Sequence, residues 1–156
     1  MFMNIIELKE RADISENTTL SKICIQYRKL LNELRKKELP RTIIEFINQD
    51  IEDLNSTSLT SNQFGKLVIQ KQTKLLNLLQ KELKIVPKNH YLNLWLILGM
   101  SAFGAPLGVA LGLGMDNFLF LAIGLPIGLA IGIGIGLRKD KKTSDEGRQL
   151  EVEMKY

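Results

Sequence analysis

The chain has 156 residues, carries a net charge of +4 and contains one cysteine and one histidine. Cys24 therefore cannot form a disulfide within the chain, and the single His90 excludes a histidine-rich metal site. Charge is unevenly distributed, because Asp116 is the only ionisable side chain from Leu92 to Leu137. So sharp a change in composition indicates that one part of the chain lies in a membrane and the rest in water.

Residues 1–88 are predicted to form a small cytoplasmic domain made of helices. Apolar residues recur there three and four positions apart, which places them on one face of a helix. The predicted helices run from Asn17–Thr19 to about Glu38, from Arg41 to Leu54 and from about Thr60 to Leu83, with a further short candidate at Ile5–Arg11. The residues expected on the inner faces are Leu20, Ile23, Tyr27, Leu30, Leu31, Leu34, Ile43, Ile44, Ile47, Ile51, Phe64, Leu67, Val68, Leu75, Leu76, Leu79 and Leu83.

Three or four such helices are enough for a small bundle, close to the lower size limit for independent stability. The alternative is that their apolar faces pack on a partner protein, as in a coiled coil. The heptad-like spacing from Ile23 to Leu34 is too short to decide between these two arrangements.

Basic residues cluster in the same region, at Arg28, Lys29, Arg35, Lys36, Lys37 and Arg41. An ordinary solvated face is the favoured explanation, and a surface for anionic lipid is the alternative. No aromatic ladder or nucleic-acid motif accompanies the charge, so nucleic acid is not an expected partner. The acidic residues Asp50, Glu52 and Asp53 have helical spacing and are likewise interpreted as a solvated face; weak binding of a cation is the alternative, although the sequence does not match a calcium loop.

Residues 89–137 are predicted to form a transmembrane hairpin. Two uncharged segments, 92–114 and 118–137, are each long enough for a helix to cross a hydrocarbon core of about 30 Å. The connection 115–117 suits a tight turn because Asp and Asn side chains bond to nearby backbone. A soluble helix pair would need a polar face, which the sequence lacks, and an open β-structure would leave unpaired backbone groups in lipid.

The positive-inside rule predicts that both ends of the hairpin lie in the cytoplasm and that Asp116 faces outward. Basic side chains flank the hairpin, and none lies in its turn: Lys84, Lys88, Arg138, Lys139, Lys141 and Lys142. These residues are expected to contact anionic lipid head groups. Tyr91 and Trp95 lie near the inner end of the first helix, where aromatic anchors are expected. The predicted location is the inner (cytoplasmic) membrane, with two spans.

The hairpin carries one five-residue pattern twice, as Gly104-Ala-Pro-Leu-Gly108 and Gly124-Leu-Pro-Ile-Gly128. Glycines four residues apart form a stripe without side chains on each predicted helix: Gly104, Gly108 and Gly112 on the first, and Gly124, Gly128, Gly132 and Gly136 on the second. Such stripes let two backbones approach closely in lipid. Over residues 99–137 the pattern resembles the glycine-zipper class of membrane hairpins, which implies close helix packing.

Asp116 lies midway between Pro106 and Pro126, and midway between two glycine pairs, Gly104 with Gly128 and Gly108 with Gly124. Folding back at Asp116 is expected to bring these residues to the same depth. Each proline removes a backbone donor and crowds the carbonyl four residues earlier. Both helices are therefore predicted to kink at one level, with Ser101 as a candidate partner for a freed carbonyl.

Three uses of the glycine stripes remain open: packing within one chain, association between chains, and a pore lined by glycine backbone. Rotor-ring subunits of ATP synthases are also glycine-rich hairpins, but they depend on a carboxylate in mid-membrane. The carboxylate of Asp116 lies in the predicted turn instead. Proton translocation of that kind is therefore not expected.

Residues 138–156 are predicted to form a basic, polar cytoplasmic tail that is flexible, although the alternation of Leu150, Val152, Met154 and Tyr156 would also suit a short docked strand. The expected fold class is all-α, with a small cytoplasmic helical bundle followed by a two-helix transmembrane hairpin with glycine-zipper packing.

Motifs for catalysis are missing from the sequence: it has no phosphate-binding loop, nucleophile elbow, zinc-protease motif or paired cysteines. The chain is therefore predicted not to be an enzyme, and no cofactor or metal is expected. The expected function is a membrane-anchored interaction or scaffold module with an unidentified protein partner. A variant of this expectation is that copies of the chain also associate with each other through the glycine-rich helices. The alternative is an oligomeric pore or holin-like permeabilising protein.

Overall fold

The computed structural model describes residues 4–10, 18–117, 119 and 121–154. These residues are mostly helical, and two of the helical segments are long and apolar enough to cross a membrane. This part of the expected fold is confirmed, and a small pair of strands is added to it. The chain divides into a helical unit, Met1–Val86 with Leu150–Tyr156, and a hairpin unit, Pro87–Gln149.

The helical unit contains three described helices, α1 (Thr18–Arg35), α2 (Arg41–Ser56) and α3 (Ser61–Leu83). Pro40 directly precedes α2, where its missing N–H costs no helical hydrogen bond. Thr60 precedes α3, and its backbone N–H donates to the Gln63 side chain at 3.4 Å, as in a capping box. At the other end of α3, Lys84 adopts a left-handed conformation with φ of 56°, and its N–H donates to the Leu79 carbonyl.

The three helices bury one hydrophobic core. Most residues predicted for the inner faces belong to it, together with Cys24 and Leu54, whereas Ile23, Ile44, Leu67 and Leu83 are only partly buried. Two short strands, β1 (Val86–Lys88) and β2 (Gln149–Glu153), pair with each other.

Residues 138–154 differ from the flexible tail that the sequence suggested, and Tyr156 lies outside the described residues. Strand β2 lies in the segment 138–156, and its alternate side chains Leu150 and Val152 are buried, as is Met154 beyond it. Alternation with period two presents one face of a strand to the core of the helical unit, so burial of these three side chains holds the segment in place.

Residues 4–10 also differ from expectation, because they contain no helix. The remaining residue of the short predicted helix, Arg11, lies outside the described part of the chain. The side chains of Ile5 and Leu8 are nonetheless buried in the core of the helical unit.

The hairpin unit has two helical arms. The first arm consists of α4 (His90–Leu98), a π-helical segment (Gly99–Gly104) and α5 (Ala105–Gly114). The second arm is the single helix α6 (Leu121–Asp145), which continues eight residues beyond the predicted end at Leu137. The predicted start at Phe118 falls outside the described residues. Contacts between α6 and each segment of the first arm make the unit a hairpin.

Candidate functional site

The hairpin unit places small residues inside and large apolar residues outside. The buried residues of the π-helical segment, of α5 and of residues 122–137 of α6 are glycines: Gly99, Gly104, Gly108, Gly112, Gly124, Gly128, Gly132 and Gly136. Among the large apolar side chains, Ile97, Leu113 and Leu119 are 66 %, 67 % and 78 % exposed. Water disfavours a continuous apolar surface of this kind, whereas lipid accommodates it.

The two arms approach each other to backbone contact near their prolines. A Cβ atom built at Gly128 would lie 2.5 Å from the Cα of Gly104, and one built at Gly124 would lie 2.5 Å from the Cα of Gly108. These are the two pairs that lie equally far from Asp116 in the sequence. A side chain at either position would meet rigid backbone rather than a flexible neighbour, so the arms would have to separate.

The close approach continues toward the open end of the hairpin. A Cβ atom built at Gly99 would lie 2.9 Å from the Cα of Gly132, and one built at Gly136 would lie 2.7 Å from the Cα of Leu92. Gly134 differs, because a Cβ atom there would meet nothing within 4 Å. The glycines of α6 therefore divide into positions that need the absence of a side chain and one that does not.

Gly99 joins this contact through the π-helical segment, and the sequence analysis did not predict it. In an α-helix with about 100° per residue, Gly99 would point roughly 140° away from Gly104, five positions later. A π-helix bonds residues five apart and brings both glycines back to one face. The Ala105 N–H donates to the Met100 carbonyl in this way. The sequence does contain one signal for this contact, because Gly99 lies five positions before Gly104, the first residue of the repeated pattern.

The two prolines have different surroundings, which the repeat did not predict. Pro106 is the second residue of α5 and lies two residues beyond the end of the π-helical segment, whereas Pro126 lies within the continuous α6. The Ser101 hydroxyl donates to the Ile97 carbonyl at 2.8 Å, not to the carbonyl four residues before Pro106. The helical hydrogen-bond pattern therefore changes close to Pro106. Proline has no backbone N–H, so no hydrogen bond from that residue is lost at the change.

The turn uses its polar residues for backbone geometry. Asp116 adopts a left-handed conformation with φ of 47°, which short polar side chains tolerate. The Asn117 N–H donates to the Gly112 carbonyl at 3.0 Å, and the Asn117 side chain accepts the Leu119 N–H at 3.0 Å. The polar side chain of Asn117 and the left-handed backbone of Asp116 thus shape the connection that follows the first arm.

The open end of the hairpin carries a buried carboxylate that the sequence analysis did not single out. Asp140 of α6 accepts the backbone N–H groups of Tyr91 at 3.1 Å and Leu92 at 2.8 Å. These N–H groups belong to the first turn of α4, where a helix supplies no carbonyl acceptor for them. A negative charge is also favourable at a helix N-terminus. Gln149 also donates to Asp140, at 3.3 Å. Asp140 therefore connects the two arms.

The predicted interface residues of the hairpin unit lie at the same end. The Lys139 ammonium is 5.7 Å from the centre of the Tyr91 ring and 5.6 Å from that of the Trp95 ring, within cation–π range. The remaining basic side chains are exposed: Arg138, Lys141, Lys142 and Lys88. Lys84 is also exposed, in the helical unit at the end of α3.

In the helical unit, much of the predicted basic cluster is paired with acidic side chains of the same chain. Arg28 contacts Glu10 at 3.1 Å, Lys36 contacts Glu33 at 2.5 Å, and Arg41 contacts Glu45 at 2.8 Å. The hydrogen bond from Lys36 lowers the pKa of Glu33 below its ordinary value. Internal pairing of this kind leaves less positive charge for an external anion.

The prediction that the acidic residues of α2 form a solvated face is wrong for Asp50, whereas Glu52 and Asp53 are exposed. Asp50 is buried, and Lys71 of α3 lies 2.6 Å from Asp50 and 2.6 Å from Asp53. Burial opposes the charge of Lys71, but hydrogen bonds to the two carboxylates outweigh it and raise the pKa of Lys71. The helical period had correctly placed these acids on neighbouring turns, but the sequence does not show which of them faces a partner helix.

Comparison with protein-family models, curated proteins and solved structures finds no match to this chain. Within the described residues, no three His, Cys, Asp or Glu side chains converge as metal ligands. The hairpin unit is therefore the candidate functional site, characterised by its glycine-lined contact, its apolar outer surface and the polar groups at its open end.

Proposed function

We propose that this protein is a membrane-anchored interaction module, in which the hairpin unit is the anchor and the helical unit is the part that binds partners. The observation that carries the proposal is the distribution of side chains in the hairpin unit, with glycine at the helix contact and large apolar residues on the exposed surface. In lipid, helices associate through close packing of small residues, and large side chains face the acyl chains.

The glycine stripes act within one chain in this proposal, as a glycine zipper that closes the hairpin. Gly104 and Gly108 already have backbone of α6 as their neighbour, so the same stripe is not available to a second copy. A pore would have to be lined by other surfaces, and those carry large apolar side chains. The arrangement therefore supports an anchor over the permeabilising alternative.

The polar ends of the hairpin support an orientation. Arg138, Lys141 and Lys142 follow the uncharged segment that ends at Leu137, and the predicted turn carries Asp116 and no basic residue. By the positive-inside rule, both ends of the hairpin lie in the cytoplasm and the turn lies outside. The Lys139 ammonium lies over the rings of Tyr91 and Trp95. Aromatic rings and basic side chains meet lipid head groups at the membrane interface, which supports placing this end of the hairpin there.

Cysteine labelling in bacterial cells tests the anchor and its orientation together. In a Cys24→Ala background, Met115→Cys places a thiol in the turn and Lys142→Cys places one at the open end. A membrane-impermeant maleimide should label Met115→Cys in intact cells, and should label Lys142→Cys only after permeabilisation. Release of the protein from membranes by alkaline carbonate, or equal labelling of both variants in intact cells, would contradict the proposal.

Leakage from dye-filled liposomes distinguishes the anchor from a pore. Vesicles that contain the purified full chain should retain a small dye as well as vesicles that contain no protein. Release of dye in proportion to the amount of inserted protein would favour the permeabilising alternative.

A further inference from the structure

Residues 4–10 form an extended segment that lies along the helical unit and is held through its backbone. The Asn48 side chain accepts the Ile6 N–H at 2.9 Å and donates to the Asn4 carbonyl at 3.1 Å. About two helical turns further along α2, the Asn55 side chain accepts the Lys9 N–H at 2.8 Å and donates to the Glu7 carbonyl at 3.0 Å. Each amide thus pairs with a carbonyl and with the N–H two residues further along.

The spacing of the two asparagines matches the repeat of an extended chain. Asn48 and Asn55 both lie on α2, seven residues apart, which is roughly 10.5 Å along a helix. The backbone groups that they bind are three residues apart, which is roughly 10 Å in an extended chain. Two amides on one helix can therefore bind an extended backbone in register, whatever its side chains are.

Arg35 adds a third contact to the same backbone. Its guanidinium donates to the Ile5 carbonyl at 3.1 Å and to the Ile6 carbonyl at 3.0 Å. These carbonyls lie between the groups bound by the asparagines. Helices α1 and α2 thus supply a series of side-chain groups that satisfy a peptide backbone, much as a neighbouring strand would in a sheet.

The side chains of the segment define what the groove accepts. Ile5 and Leu8, three positions apart, are buried in the core of the helical unit. Between and beyond them, Glu7 lies 3.5 Å from Arg35 and Glu10 lies 3.1 Å from Arg28. Apolar side chains are thus favoured at two positions, and the two ion pairs, whose glutamates are 85 % and 87 % exposed, add a weaker preference for acidic side chains at two others.

The groove has room for more than the segment that occupies it. A cavity of about 830 Å³ lies beside Asn4 and Ile5, at the end of α1 and the start of α2. Leu34, Leu39 and Ile44 contribute apolar walls, and Lys36 and Lys37 contribute basic ones. Ligand pockets in proteins typically have this size and this mixture of groups.

We infer that the groove between α1 and α2 is a binding site for an extended acidic peptide of a partner protein. Its ligands carry two apolar residues three positions apart, with an acidic residue two positions after each, and residues 4–10 of this chain occupy the site as an internal competitor. The inference rests on the proposed function, because it supplies the partner class for an interaction module.

Peptide binding to the full chain in detergent micelles tests the inference. The double variant Ile5→Asp, Leu8→Asp removes the two buried side chains of the internal segment and should free the groove. A fluorescent peptide of sequence NIIELKE should bind this variant saturably and at least tenfold more tightly than it binds the wild type. Adding Asn48→Ala and Asn55→Ala should weaken binding at least tenfold, whereas Asn77→Ala, an exposed asparagine of α3, should leave it unchanged.

Hydrogen exchange of residues 41–83 shows whether the double variant is folded, and carbonate extraction shows whether it is inserted. A folded, inserted variant that does not bind the peptide, or that binds it equally without the two asparagines, would overturn the inference and leave the anchor proposal intact. If the double variant unfolds, the wild type is tested with a photoreactive peptide, which should crosslink to α1 and α2. The inference would be overturned if excess unlabelled peptide did not suppress this crosslinking.

Discussion

At the scale of single residues, the helical unit contains a buried polar cluster between α1, α2 and α3. Asp50 is buried and paired with Lys71, while the fully buried Tyr27 hydroxyl has no hydrogen-bond partner among the described residues. Burial and the nearby charge of Asp50 raise the pKa of Tyr27 well above its ordinary value. The charge of Asp50 is tolerated because Lys71 compensates it, so the two residues depend on each other.

Replacing Lys71 should destabilise the helical unit. Lys71→Met leaves the Asp50 carboxylate buried without its partner, which typically costs about 3–5 kcal/mol of the free energy of unfolding. Lys74→Met, an exposed lysine on the same helix, should change it by less than about 0.5 kcal/mol. Hydrogen exchange of α2 and α3 in the full chain measures both. Equal exchange in the two variants would show that the ion pair contributes nothing.

Replacing Tyr27 should stabilise the helical unit and alter its response to alkali. Tyr27→Phe removes a buried hydroxyl that lacks a partner, which should raise the free energy of unfolding by about 1 kcal/mol. Tyr27 and Lys71 both have a raised pKa in the folded state, so the unfolded chain releases their protons first as pH rises. Stability should therefore fall above about pH 10.

Denaturant unfolding of the helical unit between pH 8 and pH 11, followed by circular dichroism, measures this effect. The wild type should lose stability across this range more steeply than Tyr27→Phe does. Identical pH profiles for the two proteins would contradict the assignment of a raised pKa to Tyr27.

At the scale of elements, the first arm of the hairpin depends on a change of helical register. The π-helical segment allows Gly99 and Gly104, five positions apart, to face α6 together. The other glycines of this face are four positions apart and need no such adjustment. One extra residue in the first arm is therefore accommodated locally, while the glycine contact continues on both sides of it.

Single-residue deletions should distinguish this segment from the rest of the arm. Removing Ala102 shortens the Gly99–Gly104 interval to four residues, so an ordinary α-helix would keep the glycine face in register. Removing Val109, between Gly108 and Gly112, would turn the following glycine by about 100° away from α6. In detergent, the Ala102 deletion should retain close to the wild-type melting temperature, and the Val109 deletion should lose at least several degrees. The reverse order would contradict the register argument.

The elements show what the sequence could and could not predict. Helices α1, α2 and α3 follow from apolar periodicity and from the stop at Pro40, and they begin and end within a few residues of the expected positions. The extended form of residues 4–10 and the strand β2 depend on contacts with residues far away in the chain, such as Asn48 for the former. The cross-arm bond of Asp140 to the first turn of α4 is also a tertiary contact, and no local spacing indicates it.

At the scale of the whole molecule, the chain combines two units that follow different rules for burial. The helical unit buries large apolar side chains and places its charges at the surface or in pairs. The hairpin unit buries glycine and exposes isoleucine and leucine. We interpret this inversion as an adaptation to two solvents, with water around the first unit and lipid around the second.

Native mass spectrometry of the full chain in nanodiscs tests most directly whether the glycine contact closes the hairpin within one chain. Gly128→Leu changes a position that touches backbone, and Gly134→Leu changes the open position on the same helix. The wild type and Gly134→Leu should both be single chains with intact hairpins, and Gly128→Leu should remain a single chain while its arms separate. A defined wild-type oligomer that Gly128→Leu disperses and Gly134→Leu preserves would place the contact between chains and contradict the account.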